Sequence, residues 1–236
     1  MASSIERKSF LFAVLATLAI LAGTIVTMVY PMFRADMHEQ VAGLKPPTAL
    51  ELAGRDVYQR EGCVNCHTQM VRPLKTEVVR YKGNRAQEPS GRYSLAGEFA
   101  YDHPFLWGSK RTGPDLAFEG WIKPSAAWHV EHLTNPQKVV PGSNMPKYGF
   151  LAEAKLDPAR VARHMRALRA VGVPYGDDAA IAVEAATVRD RTEMDALVAY
   201  VLSLGKAVDR GGGGAGGELD LAAANPLAGK PDAVVH

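Results

Sequence analysis

Cys63-Val64-Asn65-Cys66-His67 is the stretch on which the reading of this chain turns. The spacing C-x-x-C-H sets two thiols about one helical turn apart, so each can add to a vinyl group of one haem while the adjacent imidazole binds the iron. These are the only two cysteines in the sequence, so no disulfide framework staples distant segments together and their role is local. Two other chemistries use such a pair. A zinc site would need a second pair of ligands, and His67 lies too close in sequence to complete a tetrahedral set. A dithiol redox site would want a strand before the motif and a helix after it, which the flanking sequence does not offer. Covalent haem is the chemistry that employs all three residues.

Moving outward, Thr48 followed by Glu51 is a capping-box signature, and the TALELAGRDVYQREG stretch is expected to form a helix that stops at Gly62, directly before the cysteines. On the other side, residues 75 to 115 read as a long irregular excursion, with 80 to 115 rich in Gly, Pro, Ser and Tyr. Its aromatic residues Tyr101, Phe105 and Trp107 have two open readings, anchors for a partner protein or cover for the haem. KGNRAQEPSGR at 82 to 92 is expected to be an exposed elaboration. Three further helices are predicted near Ser125 to Leu133, from Pro158 to Val171 with Asp157 as cap, and from Glu193 to Leu204 with Gly205 as stop. No repeat, sustained strand alternation or heptad pattern is visible, so a mainly α domain with long loops is expected over 48 to 208.

With His67 on one face of an iron, the other face needs a ligand. Met70 is only three residues from His67 and cannot easily reach round the macrocycle, while Met165 and Met194 fall within predicted helices and read as core. Met145 stands in the turn-rich PGSNMP, where Pro141, Gly142 and Pro146 can hold a thioether at fixed reach. It is the favoured sixth ligand, with His129 or His132 as the alternative. Two strong axial ligands imply one-electron transfer, not oxygen activation. Arg72, Lys110 and Arg111 are candidates to pair with haem propionates, or are solvated surface charges. No role is assigned to His38, His103, His164 or His236.

The N-terminus carries a different signal. Ser9 to Phe33, SFLFAVLATLAILAGTIVTMVYPMF, holds no charge, and as a helix its length would be about 37 Å, enough to cross a bilayer. The run is longer than the apolar core of a signal peptide and no clean cleavage site follows, so an uncleaved anchor over 9 to 33 is expected, with residues 1 to 8 cytoplasmic because Arg7 and Lys8 precede it. Residues 34 to 47 read as a linker and 209 to 236, with its glycine run, as a flexible tail. The 27 basic and 25 acidic residues give a formal net charge of +2, which does not call for nucleic acid as a partner.

The C-V-N-C-H motif after a helix, R-T-G-P-D-L at 111 to 116, S-N-M-P at 143 to 146 and a closing helix with Tyr200 resemble a class I cytochrome c domain. CHTQMVRPL at 66 to 74 and YDHPFLWGSKRTGPDL at 101 to 116, behind an N-terminal anchor, resemble more closely the mono-haem subunit of cbb3-type cytochrome c oxidases. The resemblance implies one haem c bound through Cys63 and Cys66, iron ligated by His67 and Met145, and the Pro114 carbonyl orienting the His67 ring. It also implies a single-pass protein of the bacterial inner membrane with a periplasmic haem domain, an electron-transfer subunit without its own oxygen site. Its implied place is between a di-haem cytochrome c subunit and the haem-copper catalytic subunit, where the resemblance implies that Ser109 meets a structural cation. Rival readings are an independent membrane-tethered shuttle and a haem-based sensor.

Overall fold

An uncharged run of this length can satisfy its backbone N–H and C=O groups in hydrocarbon only by pairing them within itself. In the computed structural model, which describes residues 7–32, 41, 44–81 and 93–206, it forms one helix, α1, over Ser9–Met32 with mean hydropathy 2.4. Its regular turns occupy Ser9–Thr24. Ile25–Val29 widens to π-helical pairing, and the cause is Pro31, which has no N–H to donate and whose ring crowds the carbonyl four residues back. Thr27 Oγ1 donates to the Gly23 carbonyl at 2.8 Å, so its hydroxyl is satisfied within the helix. The helix is long and apolar enough to span a membrane.

The chain divides into two units, Met1–Gln40 and Val41–His236. The second is built from helices and loops; among its described residues the only strand-like pairing is an isolated bridge between Lys155 and Thr192. Its first helix, α2 (Ala49–Arg60), opens with the full capping box, Thr48 Oγ1 accepting from the Glu51 N–H and Glu51 accepting from the Thr48 N–H. It closes at Gly62, whose φ of 73° lies in the left-handed region that glycine adopts without penalty. Next come α3 (Lys75–Tyr81), α4 (Glu119–Ile122), α5 (Ala126–Thr134), α6 (Pro136–Val139), α7 (Pro158–Ala170), α8 (Asp178–Ala186) and α9 (Glu193–Ser203). Ser125 caps α5, Asp157 caps α7 with Pro158 at its first position, and Thr192 with Asp195 forms a second capping box on α9.

The core is organised by one close crossing. A Cβ on Gly54 of α2 would lie 1.9 Å from the Ala196 carbonyl oxygen of α9, so only glycine permits the two backbones to meet. On one flank of α2, Leu52 and Ala53 pack with Met165, Leu168, Ile181 and Val188. On the other, Val57 and Tyr58 pack with Leu197, Val201, Leu133 and Leu151, each large side chain so removed from water contributing about 1.5 to 3 kcal/mol. This second cluster is the wall of the site described below. A third, smaller one joins Val71, Val78, Ala117 and Phe118.

Four helices differ from the sequence expectation, two of them the short Glu119–Ile122 and Pro136–Val139. Lys75–Tyr81 is helical where an irregular course was expected, because Val78 finds a buried place beside Val71. Asp178–Ala186 is a helix that was not anticipated; Asp177 caps it and Ile181 and Ala185 are its buried contacts. Within the expected linker, Val41 is buried and the Pro47 carbonyl accepts from the Tyr175 hydroxyl at 2.8 Å. Residues 82 to 92, the tail at 209 to 236, His38 and His236 lie outside the described residues.

Candidate functional site

The two cysteines sit on a short 3-10 turn, Cys63–Asn65, entered from the left-handed Gly62 at the end of α2. Neither is disulfide-bonded; Cys63 is half-buried and Cys66 exposed. Burial, helped by the nearby Glu61 carboxylate, pushes the Cys63 thiol up to about 11. A dithiol redox centre lowers the pKa of its attacking cysteine, usually at a helix N-terminus, and this site does the opposite. Among the described residues no group of three or more His, Cys, Asp or Glu side chains converges as a metal cage, which also disfavours the zinc reading.

His67 is held with unusual thoroughness. Its Nδ1 lies 2.8 Å from the Pro114 carbonyl oxygen. A carbonyl can only accept, so Nδ1 carries the proton and Nε2 keeps its lone pair. Burial lowers the imidazole's pKa, outweighing the Pro114 bond and the Asp115 charge that act the other way, so the ring is neutral near pH 7. A Cβ on Gly113 would stand 2.1 Å from His67 Cε1; glycine is there to let the ring lie against the backbone. The same 113–116 strap is stitched to the motif by Gly113 N–H to the Cys66 carbonyl at 3.0 Å and Leu116 N–H to the Thr68 carbonyl at 2.9 Å. Behind the motif, the Tyr58 hydroxyl donates to the His67 carbonyl at 2.7 Å and the Tyr200 hydroxyl to Gln69 Oε1 at 2.8 Å. The two tyrosine rings meet edge to face at 5.5 Å.

Met145 comes to the same region from much further along the chain. Cys63, Val64, Met145 and Tyr148 are all partly buried and all pack against the cluster that holds Tyr58, Leu197 and Leu133. Burial raises the Tyr148 pKa, and both Cys63 and Cys66 add to the shift, which places this tyrosine within electrostatic reach of the pair. The Met145 loop is fixed by Gln137, whose Nε2 donates to the carbonyls of Ser143 at 3.1 Å and Met145 at 3.0 Å. Of the alternative ligands, His129 is buried and its Nε2 donates to the Lys123 carbonyl at 2.8 Å. His132 stacks on Trp128 at 4.7 Å and leaves Nδ1 without a partner; burial lowers its pKa, with His129 and His67 adding to the shift. Met165 and Met194 are core residues.

The basic candidates separate. Each nitrogen of the Arg111 guanidinium is engaged with protein acceptors, on Asp115, Glu77 and the Met70 carbonyl. Arg72 binds Glu77 through Nε at 2.6 Å but is half exposed, and Lys110 is exposed, as is Ser109. The aromatic residues form a surface stack: Phe105 lies parallel to Trp107 at 4.3 Å, and Phe99 meets Trp107 edge-on at 5.2 Å. Phe105 is 52% exposed. Beneath them the buried Arg55 donates to the carbonyls of His103 and Pro104 and faces Asp102, which makes the loop a rigid platform.

Tyr58, Gly113, Gln69, Glu77 and Asp115 were not anticipated as parts of the site. Gly113 had a readable signal, since a glycine before the proline of R-T-G-P-D-L marks a close backbone approach. Glu77 had none, because its partner Arg111 is 34 residues away in sequence.

The donor set suits a covalently bound haem: two unpaired thiols one turn apart, a neutral imidazole with Nε2 free, a thioether on a fixed loop, and an apolar wall against which Cys63 and Met145 both pack. Comparison with curated proteins gives no match. Residues 2–208 match the family described as cytochrome C oxidase, mono-heme subunit/FixO. The chain belongs to this family of mono-haem cytochrome c oxidase subunits.

Proposed function

We propose that this chain is the membrane-anchored haem c relay of a cbb3-type oxidase, taking electrons from a di-haem cytochrome c subunit or a soluble cytochrome c and delivering them to the haem-copper catalytic subunit. Cys63 and Cys66 would anchor the group covalently, His67 Nε2 and the Met145 thioether would ligate its iron, and the Pro114 carbonyl fixes the tautomer of His67. Haem c, when bound, supplies one-electron exchange between ferric and ferrous iron. The protein's part is to hold the two ligating side chains and exclude water with the Val57, Leu197 and Leu133 wall, so that this chain would pass electrons on and oxygen would be reduced elsewhere. Arg72 and Lys110, which keep exposed nitrogens, are the basic side chains assigned to the carboxylates of the group.

The observation that carries this reading is the His67 Nδ1 to Pro114 contact at 2.8 Å, which leaves Nε2 free beside two unpaired thiols. The exposed Phe105 and Trp107 on their Arg55-held platform support a permanent partner. In this reading α1 is a single membrane pass with a cytoplasmic N-terminus, the haem domain is periplasmic, and Ser109 meets a structural cation beside the catalytic subunit. Mild detergent extraction of the native membrane, with this chain tagged, should bring down a haem-copper protein and a di-haem cytochrome, and the chain's pigment should survive acidified acetone. A chain that purifies alone and still passes electrons between complexes would replace the subunit reading with that of an independent tethered shuttle. A colourless chain would end both.

A further inference from the structure

Arg111 stands three residues before Pro114, and its contacts span the two halves of the His67 hydrogen bond. Nη2 donates to the Met70 carbonyl at 2.9 Å, on the segment that carries His67. Nη2 and Nε reach Asp115 Oδ2 at 3.0 and 3.2 Å, on the residue next to the Pro114 acceptor. Nη2 and Nη1 reach the Glu77 oxygens at 2.8 and 3.3 Å, on α3. The Asp115 side chain has 0% exposure, and its other oxygen accepts from the Ala117 N–H at 2.8 Å. The ring of Tyr81 covers the guanidinium at 5.1 Å. Arg72 shares Glu77 from the opposite side. Burial alone would raise the Glu77 carboxyl, but the hydrogen bonds from Arg72 and Arg111 outweigh it and hold the group below its ordinary value.

We propose that Arg111 is a positioning residue for the His67 imidazole: one guanidinium ties the ligand-bearing segment, the acceptor-bearing strap and α3 together, and so fixes the length of the His67 Nδ1–H to Pro114 bond. This rests on the reading of His67 as an iron ligand. It replaces the expectation that Arg111 faces a haem propionate. The physical link is that a ligating imidazole gains basicity at one nitrogen from the hydrogen bond it donates at the other. If the strap drifts, that bond weakens and the ring is free to turn. A planar fork is needed because three acceptors in three directions must be met at once; a lysine ammonium on a flexible stem can supply the charge but not the span.

The test uses the full chain with its haem, labelled with 15N-histidine, as wild type, Arg111→Gln, Arg111→Lys, Glu77→Gln and, as a control on the exposed face of α7, Arg160→Gln. In the ferric protein, NMR follows solvent exchange of the histidine Nδ1–H shifted by the iron, and a redox titration gives the midpoint potential. The expected result is slow exchange in wild type and Arg160→Gln, and exchange about tenfold faster or more in Arg111→Gln, with a changed potential. Arg111→Lys should stay fast. Glu77→Gln, which keeps the Arg111 contacts to Met70 and Asp115, should lie between, and it decides the matter if Arg111→Gln yields no folded haem protein. Unchanged exchange in both Glu77→Gln and Arg111→Gln, or full recovery in Arg111→Lys, would overturn the proposal. A wild type without any iron-shifted histidine Nδ1–H would instead overturn the ligand assignment beneath it.

Discussion

The two segments that carry the candidate iron ligands are held in opposite ways. Around His67 the ties come from far along the chain: Gly113, Pro114 and Leu116 from one strap, Arg111 from its start, and Tyr200 from the last helix. Thr68 and Gln69 are fully enclosed. Around Met145 the hydrogen bonds are local, from Gln137 and Ser143, and Pro141, Gly142, Asn144 and Pro146 are exposed. Long-range ties exist only while the whole domain is folded, whereas a loop pinned by its own neighbours can open alone. The lesson is that the histidine side is part of the global fold and the methionine side is a separately adjustable piece.

The sharpest way to break this contrast is Gly113→Ala. The added Cβ would overlap the His67 ring at 2.1 Å from Cε1, and the ring is tied through Nδ1 to the strap that carries the new methyl. The expected cost is more than about 3 kcal/mol, with most of the covalent haem lost. Thermal melting and a pyridine haemochrome assay check it. If the variant melts and loads haem like wild type, the histidine side is not over-determined.

Burial on that side has a second consequence, at the start of α4, just past the strap. Glu119 is 7% exposed, and burial, offset in part by Lys123, pushes its carboxyl up to about 7 from an ordinary value of 4.5. Between these values the native state keeps a proton that the unfolded chain has released. Stability therefore falls as pH rises through that window, by up to about 3 kcal/mol, and levels off above it. Glu119→Gln should flatten the melting temperature between pH 5 and pH 8 and raise it at pH 8. Parallel pH profiles for the two proteins would show that Glu119 is not the group responsible.

What could be read in the sequence follows the same division between near and far. The C-x-x-C-H motif, the Thr48 box, the Asp157 cap and the Gly62 and Gly205 stops are short-range signals, and each helix they mark is present. The loop that holds Met145 was legible from its prolines and glycine. The helix Asp178–Ala186 was not, because its alanines give a weak apolar stripe and Val183 points to solvent. Arg111 was read as a surface or propionate-facing charge, since nothing in R-T-G-P-D-L announces that Glu77 waits on a helix and that Met70 offers its carbonyl. Tyr58 and Gln69 look like ordinary positions until the closing helix brings Tyr200 to them.

On the methionine side, the effect should fall on the iron and spare the fold. Met145→Ala removes a partly buried side chain from a local loop, so melting should change little. The reduction potential should drop by on the order of 0.1 V, because a thioether ligand favours the ferrous state, and the ferrous protein should bind added carbon monoxide. His132→Ala serves as the control for the alternative ligand. If carbon monoxide binds to His132→Ala and not to Met145→Ala, the orphaned His132 Nδ1 marks the true sixth ligand.

The smallest effect, and the most direct test of local control, is Gln137→Ala. The amide of Gln137 reaches the Ser143 and Met145 carbonyls across the loop from an exposed position on α6. Its loss leaves both carbonyls to water, so no buried group is stranded, and the stability cost should stay below about 1 kcal/mol. The loop, however, loses the one side chain that joins its two ends. If the methionine side is separately adjustable, Gln137→Ala should leave the melting temperature near that of wild type while the ferrous protein takes up carbon monoxide measurably, because Met145 now swings away part of the time. Uptake should be weaker than in Met145→Ala, since the thioether still competes. A variant that excludes carbon monoxide as wild type does would mean that the loop is held by its packing against Tyr148 and Leu133 and not by the hydrogen bonds of Gln137.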